Sequence, residues 1–104
     1  MGNHVYALYM IKGGYIYILA SQKNGTLYTG VTSDLAERIQ QHKDHAVEGF
    51  TAKYDVTILV YYEWLDAIED AIVREKQIKK WKRLYKLNAI NALNPQWLDL
   101  SDEI

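Results

Sequence analysis

The stretch YIYILASQKNGTLYTG, Tyr15–Gly30, sets three tyrosines around an Asn-Gly pair within one short segment. From Tyr15 to Ala20 every residue is aromatic, β-branched or aliphatic, and after SQKNG the run TLYTG resumes the same character. Two such runs joined by Asn-Gly predict a β-hairpin, with Asn24 and Gly25 supplying the positive φ angles of the turn. Tyr15, Tyr17 and Leu19 then share one face, and Tyr28 comes close to Tyr17 when the strands pair. A buried phenol wants a partner for its hydroxyl, and the chain uses nine Tyr against one Phe. The tyrosines read either as ordinary core on an aromatic strand face or as hydroxyls at work beside an arginine or a metal.

Outward from the hairpin, TSDLAERIQQHK predicts a helix capped by Ser33 or Asp34, and Asp34 with Glu37 has capping-box spacing. Leu35 and Ile39 mark its buried stripe, while Arg38 and His42, four apart, lie one turn from each other on one side. HAVEGFTAKYD, with Gly49 and mixed polarity, reads as a loop. VTILVYYEW alternates too little for a sheet open to water on one face and predicts a central strand covered on both sides. From Asp66 to about Leu87 the pattern turns helical, with Ile68, Ala71, Ile72, Ile78, Trp81 and Tyr85 along one flank, until LNPQW breaks it at Pro95. The order strand, strand, helix, strand, helix and a short helical tail predicts a small α/β layer around one antiparallel sheet. Residues 1–13 read as an N-terminal extension or an edge strand, 14–100 as the domain and 101–104 as a C-terminal tail.

Composition limits what this layer can do. With 104 residues, 49% of them hydrophobic, 24% charged and one Pro, the chain is long enough for one self-supporting core. The absence of Cys excludes disulfides, thiolate metal sites and a cysteine nucleophile, and fits a reducing compartment. No apolar run reaches the roughly 20 residues that span a bilayer, so a cytoplasmic protein without membrane contact is expected. A net charge of −1 argues against coating nucleic acid by bulk charge. Even so, seven of the twelve Lys and Arg residues fall in REKQIKKWKRLYK, Arg74–Lys86, beside the single carboxylate of Glu75. Such a block either meets a polyanion or is a solvated helix face.

Three further residues stand out as chemical. On a helical wheel Glu75 falls inside the apolar stripe of Ile68, Ala71, Ile72 and Ile78, where a carboxylate is costly unless paired, hydrogen-bonded or bound to a cation. It either accepts from a core tyrosine or pairs with Arg38, or it holds a metal. Arg38 flanks its own helix's buried stripe, and its guanidinium can clamp phosphate oxygens or lie over the core toward water. His42 admits three roles: proton carrier, phosphate contact or helix C-terminal cation.

Together these residues resemble the GIY-YIG nuclease family, in order along roughly Gly14 to Leu100. Tyr15-Ile16-Tyr17 stands for the first motif and Tyr28-Thr29-Gly30 for the second; Arg38, His42, Glu75 and Asn94 match the family's arginine, histidine, glutamate and asparagine. The closing IKKWKRLYKLNAINALNPQWLDL resembles the small stand-alone bacterial branch. The chain departs from the pattern at Tyr15, where the family has glycine, and at Thr29, where it has a hydrophobic residue. Val31 stands where the repair branch carries a lysine.

The resemblance implies a three-stranded antiparallel sheet flanked by helices and phosphodiester hydrolysis in DNA, with RNA possible and no protein partner required. It implies one divalent cation, Mg²⁺ or Mn²⁺, held by Glu75, with Tyr17 or Tyr28 acting on the attacking water, Arg38 on the phosphate, His42 assisting and Asn94 shaping the pocket. Lys76, Lys79, Lys80, Lys82, Arg83 and Lys86 would track the nucleic-acid backbone. Structure-directed or weakly specific cutting in DNA repair or recombination is the implied setting. The alternative is a GIY-YIG-like module that binds nucleic acid without cutting it.

Overall fold

The computed structural model describes residues 13–47 and 49–104. Residues 1–12 of the expected N-terminal extension or edge strand lie outside the described residues. Three antiparallel strands, β1 (Gly14–Ala20), β2 (Leu27–Thr32) and β3 (Ile58–Leu65), form one sheet in the order β2-β1-β3. Helices α1 (Leu35–Lys43) and α2 (Phe50–Tyr54) follow β2, whereas α3 (Ile68–Lys79), α4 (Arg83–Leu93) and a 3-10 turn (Leu100–Glu103) follow β3. No helix among the described residues is long and apolar enough to cross a membrane.

The hairpin forms where the sequence predicts it. Its connection, Ser21–Thr26, closes with Ser21 N–H on the Thr26 carbonyl at 3.0 Å and Gly25 N–H on the Gln22 carbonyl at 2.9 Å. Of the expected pair only Asn24 takes a positive φ, 60°. The longer connection needs one left-handed residue where a two-residue turn needs two.

β1 is the central strand. Ile16, Ile18 and Ala20 face Ala71, Ile78, Ile90 and Trp97 from the α3–α4 layer. Tyr17 and Leu19 face Leu35, Ile39, Val56 and Leu59 on the α1–α2 side. Burial on both faces explains why the strand's only polar side-chain atoms are its two phenol oxygens. The expectation of a central strand at VTILVYYEW is therefore corrected, because β3 is an edge. Leu59 and Val60 are enclosed, but Tyr61, Tyr62 and Glu63 are half-buried and Trp64 is exposed, so the apolar run ends as a rim of aromatic rings.

β3's outer backbone is met by side chains from the chain's end. The Asn94 amide nitrogen donates to the Val60 carbonyl at 3.2 Å, and Leu59 N–H donates to Asp99 Oδ1 at 3.3 Å. Asp99 also receives Ser101 N–H at 3.1 Å and pairs with Lys43 Nζ at 2.6 Å, while the Tyr62 hydroxyl donates to Glu103 at 3.0 Å. These contacts bind the expected tail 101–104 to the sheet and to α1. An edge strand with bare N–H and C=O groups templates pairing with other chains, and here two groups in its first half are taken.

Two helical expectations change. HAVEGFTAKYD contains α2, entered through Gly49 at φ 101° and left through Asp55 at φ 54°. The single helix expected from Asp66 to Leu87 is two, separated at Lys80–Lys82 without a Pro or Gly. Trp81 packs against the core at this break and its ring lies 5.2 Å from the Arg74 guanidinium, which makes a two-pronged pair with Glu63 of β3 at 3.0 and 3.1 Å. The break turns Leu87 and Ile90 inward and leaves Tyr85 exposed; Ile72 is also exposed, although both were expected on the buried flank.

Candidate active site

Strand register sets the first two groups. Tyr17 lies opposite Gly30, and Leu19 opposite Tyr28, so the two phenols are diagonal neighbours on the α1 side, with ring centroids 6.3 Å apart. Gly30 is required there: a Cβ would stand 2.4 Å from both Cζ and the hydroxyl oxygen of Tyr17.

Helix α1 supplies the next two groups. The Asp34 side chain caps it by accepting Glu37 N–H at 3.2 Å, and Leu35 and Ile39 anchor its inner face, which fixes the rotation of Arg38 and His42. His42 is 1% exposed and packs on both phenol rings. The Tyr17 hydroxyl and His42 Nε2 share a hydrogen bond of 3.0 Å, and His42 Nδ1 shares another of 3.0 Å with Thr51 Oγ1 from α2. Thr51 was missed in the sequence because its segment reads as a loop. Its one signal was a hydroxyl placed just after a glycine break.

Burial pushes the Tyr17 phenol from its usual 10.0 up to about 12, and neighbouring Tyr28 adds to the rise. The Arg38 guanidinium opposes it by charge and hydrogen bonding, whereas the Glu75 carboxylate reinforces it. Burial lowers the pKa of His42, helped by the Arg38 charge, so the ring is neutral near pH 7. A group depressed in the folded state stabilises fully above its unfolded value and loses that contribution as pH falls through the folded one. Thermal melts from about pH 7.5 to about pH 5.5 are therefore expected to show a steeper loss of Tm in the wild type than in His42→Gln. Equal slopes would mean that His42 is not held neutral.

Glu75, in α3, is 6% exposed. It pairs with Lys79 one turn on, a half-exposed side chain, and among the described residues not with Arg38 or a tyrosine. Arg38 donates to Gln41 Oε1 at 3.2 Å and stays within electrostatic reach of Tyr17. The structure thus packs Tyr17, Tyr28 and His42 together, with Arg38 and Glu75 near enough for their charges to act on Tyr17. Three clefts, about 300, 490 and 230 Å³, are lined by none of Tyr17, Tyr28, His42 or Glu75. Arg38 lines the smallest of the three with Thr32 and Glu37, beside the enclosed Tyr17–His42 pair.

Asn94 is not part of that cluster. Besides the Val60 carbonyl, its amide nitrogen reaches the Leu98 carbonyl at 2.8 Å, and its oxygen accepts Leu98 N–H at 3.0 Å. These contacts hold the Asn94 side chain between β3 and the segment after α4. Asn94→Ala leaves these backbone groups unpaired and is expected to cost about 1–3 kcal/mol, read as a lower urea midpoint. Any activity per folded molecule should be unchanged.

The basic residues are divided by the helix break. Lys76, Lys80 and Lys82 are exposed, and Lys79 covers Glu75. Arg83 donates to the Asn24 and Gly25 carbonyls at 2.7 Å each, clasping the hairpin turn. Lys86 has its pKa lowered by burial and then by the charges of Arg83 and Lys79, which places the three cations together. Arg74 is taken by Glu63 and leaves the basic surface.

The phenol pair and His42 pack together, with the charges of Arg38 and Glu75 within reach of Tyr17. The chain belongs to the GIY-YIG family: the GIY-YIG catalytic domain matches residues 13–88. Among its relatives are small proteins named UPF0213. One from Staphylococcus saprophyticus is 38% identical over 77 residues, covering 74% of this chain and 93% of the relative. One from Syntrophus aciditrophicus is 37% identical over 86 residues, covering 79% and 93%. The solution NMR structure of a UPF0213 protein from Bacillus halodurans matches with a TM-score of 0.52 at 26% identity, over 84% of this chain and 92% of that one.

Proposed function

We propose that the protein is a cytoplasmic, divalent-metal-dependent endonuclease that hydrolyses phosphodiester bonds in DNA with little sequence readout. The observation that carries this reading is the Tyr17 hydroxyl held by a buried, neutral His42 while the charges of Arg38 and Glu75 act on it in opposite senses.

A phenol with a pKa near 12 is not a free phenolate at neutral pH, so it needs a partner to act as a base. His42 is that partner. With Nδ1–H donated to Thr51 Oγ1, Nε2 is free to accept the Tyr17 proton as Tyr17 Oη takes one from the attacking water. Tyr28 braces the phosphate beside it. Arg38 offsets charge as it builds on the phosphoryl oxygens.

Glu75 suits Mg²⁺ or Mn²⁺. Its buried carboxylate demands a positive partner, a place now taken by the half-exposed Lys79. Among the described residues no group of three or more His, Cys, Asp or Glu is arranged to hold an ion, so the cation would rest on one carboxylate; Mg²⁺, which keeps most of its waters, accepts such sparse ligation. When bound, the ion supplies charge to the developing transition state and to the leaving 3′ oxygen.

Lys79, Arg83 and Lys86, with exposed Lys76, Lys80 and Lys82, supply salt-dependent contacts to the backbone; Lys82, Arg83 and Lys86 add to the positive N-terminal end of α4. The test is cleavage of single-stranded, duplex, nicked and branched DNA, and of RNA, with Mg²⁺ or Mn²⁺ against chelator. If DNA binds and neither metal gives cutting above the chelator control, the protein is a binding module and the enzyme reading fails.

A further inference from the structure

The α1–α2 side carries aromatic surface that the proposed chemistry does not use. Phe50, the chain's sole phenylalanine, is 45% exposed, and Tyr54, one turn along α2, is 49% exposed. Their ring centroids are 4.9 Å apart. Phe50 also lies beside Tyr28, nearly parallel at 26° with centroids 6.4 Å apart. The result is a continuous row, Tyr28, Phe50, Tyr54, that begins at the phenol pair and runs out into solvent.

The row is indexed to the reacting groups. Thr51, next to Phe50 in the same helical turn, is buried and holds His42 Nδ1. One residue of α2 thus fixes the imidazole, and its neighbours present two rings to water. Lys53 adds a cation, with Nζ 5.3 Å from the Tyr54 ring centroid. Half-exposed aromatic faces with a cation beside them are what nucleic-acid proteins offer to bases, since every base has a π-face and the strand joining bases is anionic. A protein partner would equally cover apolar rings, but it would not explain their continuity with the Tyr17–Tyr28 pair.

We propose that Phe50 and Tyr54, continuing from Tyr28, form a stacking subsite for the nucleobase adjoining the scissile phosphate. This rests on the nuclease reading for which phosphate lies at Arg38, although the subsite itself needs only a bound strand. A base engages it after swinging out of its own stack, so the rings select for local unstacking at one position and leave base identity unread.

The experiment uses the full chain in chelator, which stops cutting, and short DNA strands carrying 2-aminopurine at successive positions. The wild type is expected to quench the fluorophore strongly at one position. Phe50→Leu, which keeps apolar bulk against Tyr28, should bind about tenfold more weakly with the quench lost, as should Tyr54→Ala to a smaller extent. Phe50→Trp should restore both. An abasic unit at the quenched position should weaken wild-type binding and leave Phe50→Leu unaffected.

If Phe50→Leu binds and quenches as the wild type does, or if the wild type binds no strand, the subsite is overturned, whether or not cutting occurs. If the wild type binds and quenches but never cuts with Mg²⁺ or Mn²⁺, the nuclease reading falls and the subsite stands.

Discussion

Glu75→Gln is expected to lower metal-dependent cleavage by about 10²–10³-fold while the domain stays folded. Glutamine keeps the volume and hydrogen-bonding capacity of the side chain and removes its charge, so the buried slot in α3 stays filled. Burying a carboxylate costs desolvation that its Lys79 partner only partly offsets, and a neutral amide escapes that cost; stability should therefore change by less than about 1 kcal/mol. The two measurements must be taken together, as single-turnover cleavage in Mg²⁺ or Mn²⁺ and a urea melt. Arg38→Ala should produce a loss of similar size, because the proposed role of Arg38 is to offset charge that builds on the phosphate, while its side chain donates to Gln41 on its own helix. Wild-type cutting by Glu75→Gln would sink the assignment of the carboxylate to the metal.

Gly30→Ala is expected to damage stability and chemistry at once. The added methyl would stand 2.4 Å from the Tyr17 ring, and that ring has no room to retreat: it is 1% exposed, bonded to His42 and packed on Tyr28. Overpacking of this kind costs about 1–3 kcal/mol, which for a domain of this size lowers Tm by roughly 4–8 °C per kcal/mol. The displaced phenol would also lose its 3.0 Å contact with Nε2, so cleavage measured well below the new Tm should fall as well. Normal stability in Gly30→Ala would mean that the β1–β2 register at this point is wrong.

Local patterns were legible in the sequence and long-range decisions were not. The hairpin, the Asp34 cap and the burial of Glu75 each follow from spacings within a few residues, and each is found. Strand order is different in kind. VTILVYYEW is as apolar as a central strand because its first half lies between both layers, and nothing local says that β1 takes the middle place. The split after Lys79 depends on Trp81 docking on the core and beneath Arg74, a tertiary contact with no local breaker to announce it. Asn94 was recognisable as a residue type with work to do, but its partners, Val60 and Leu98, belong to the edge of the sheet. The Tyr17–His42–Thr51 chain was half visible, since Thr51 is aimed by a five-residue helix too short to leave a periodic trace.

The partly covered edge of β3 has a practical meaning for anyone cutting this domain out for fusion to another protein. The motif-bearing part ends at residue 88, but the side chains that occupy the Val60 carbonyl and the Leu59 amide come from Asn94 and Asp99, past that point. A graft trimmed to the motifs would keep Tyr17, Tyr28, Arg38, His42 and Glu75 and leave those two groups of its third strand bare. The segment after α4 is the selvedge of the sheet, and the place to join a partner lies beyond it.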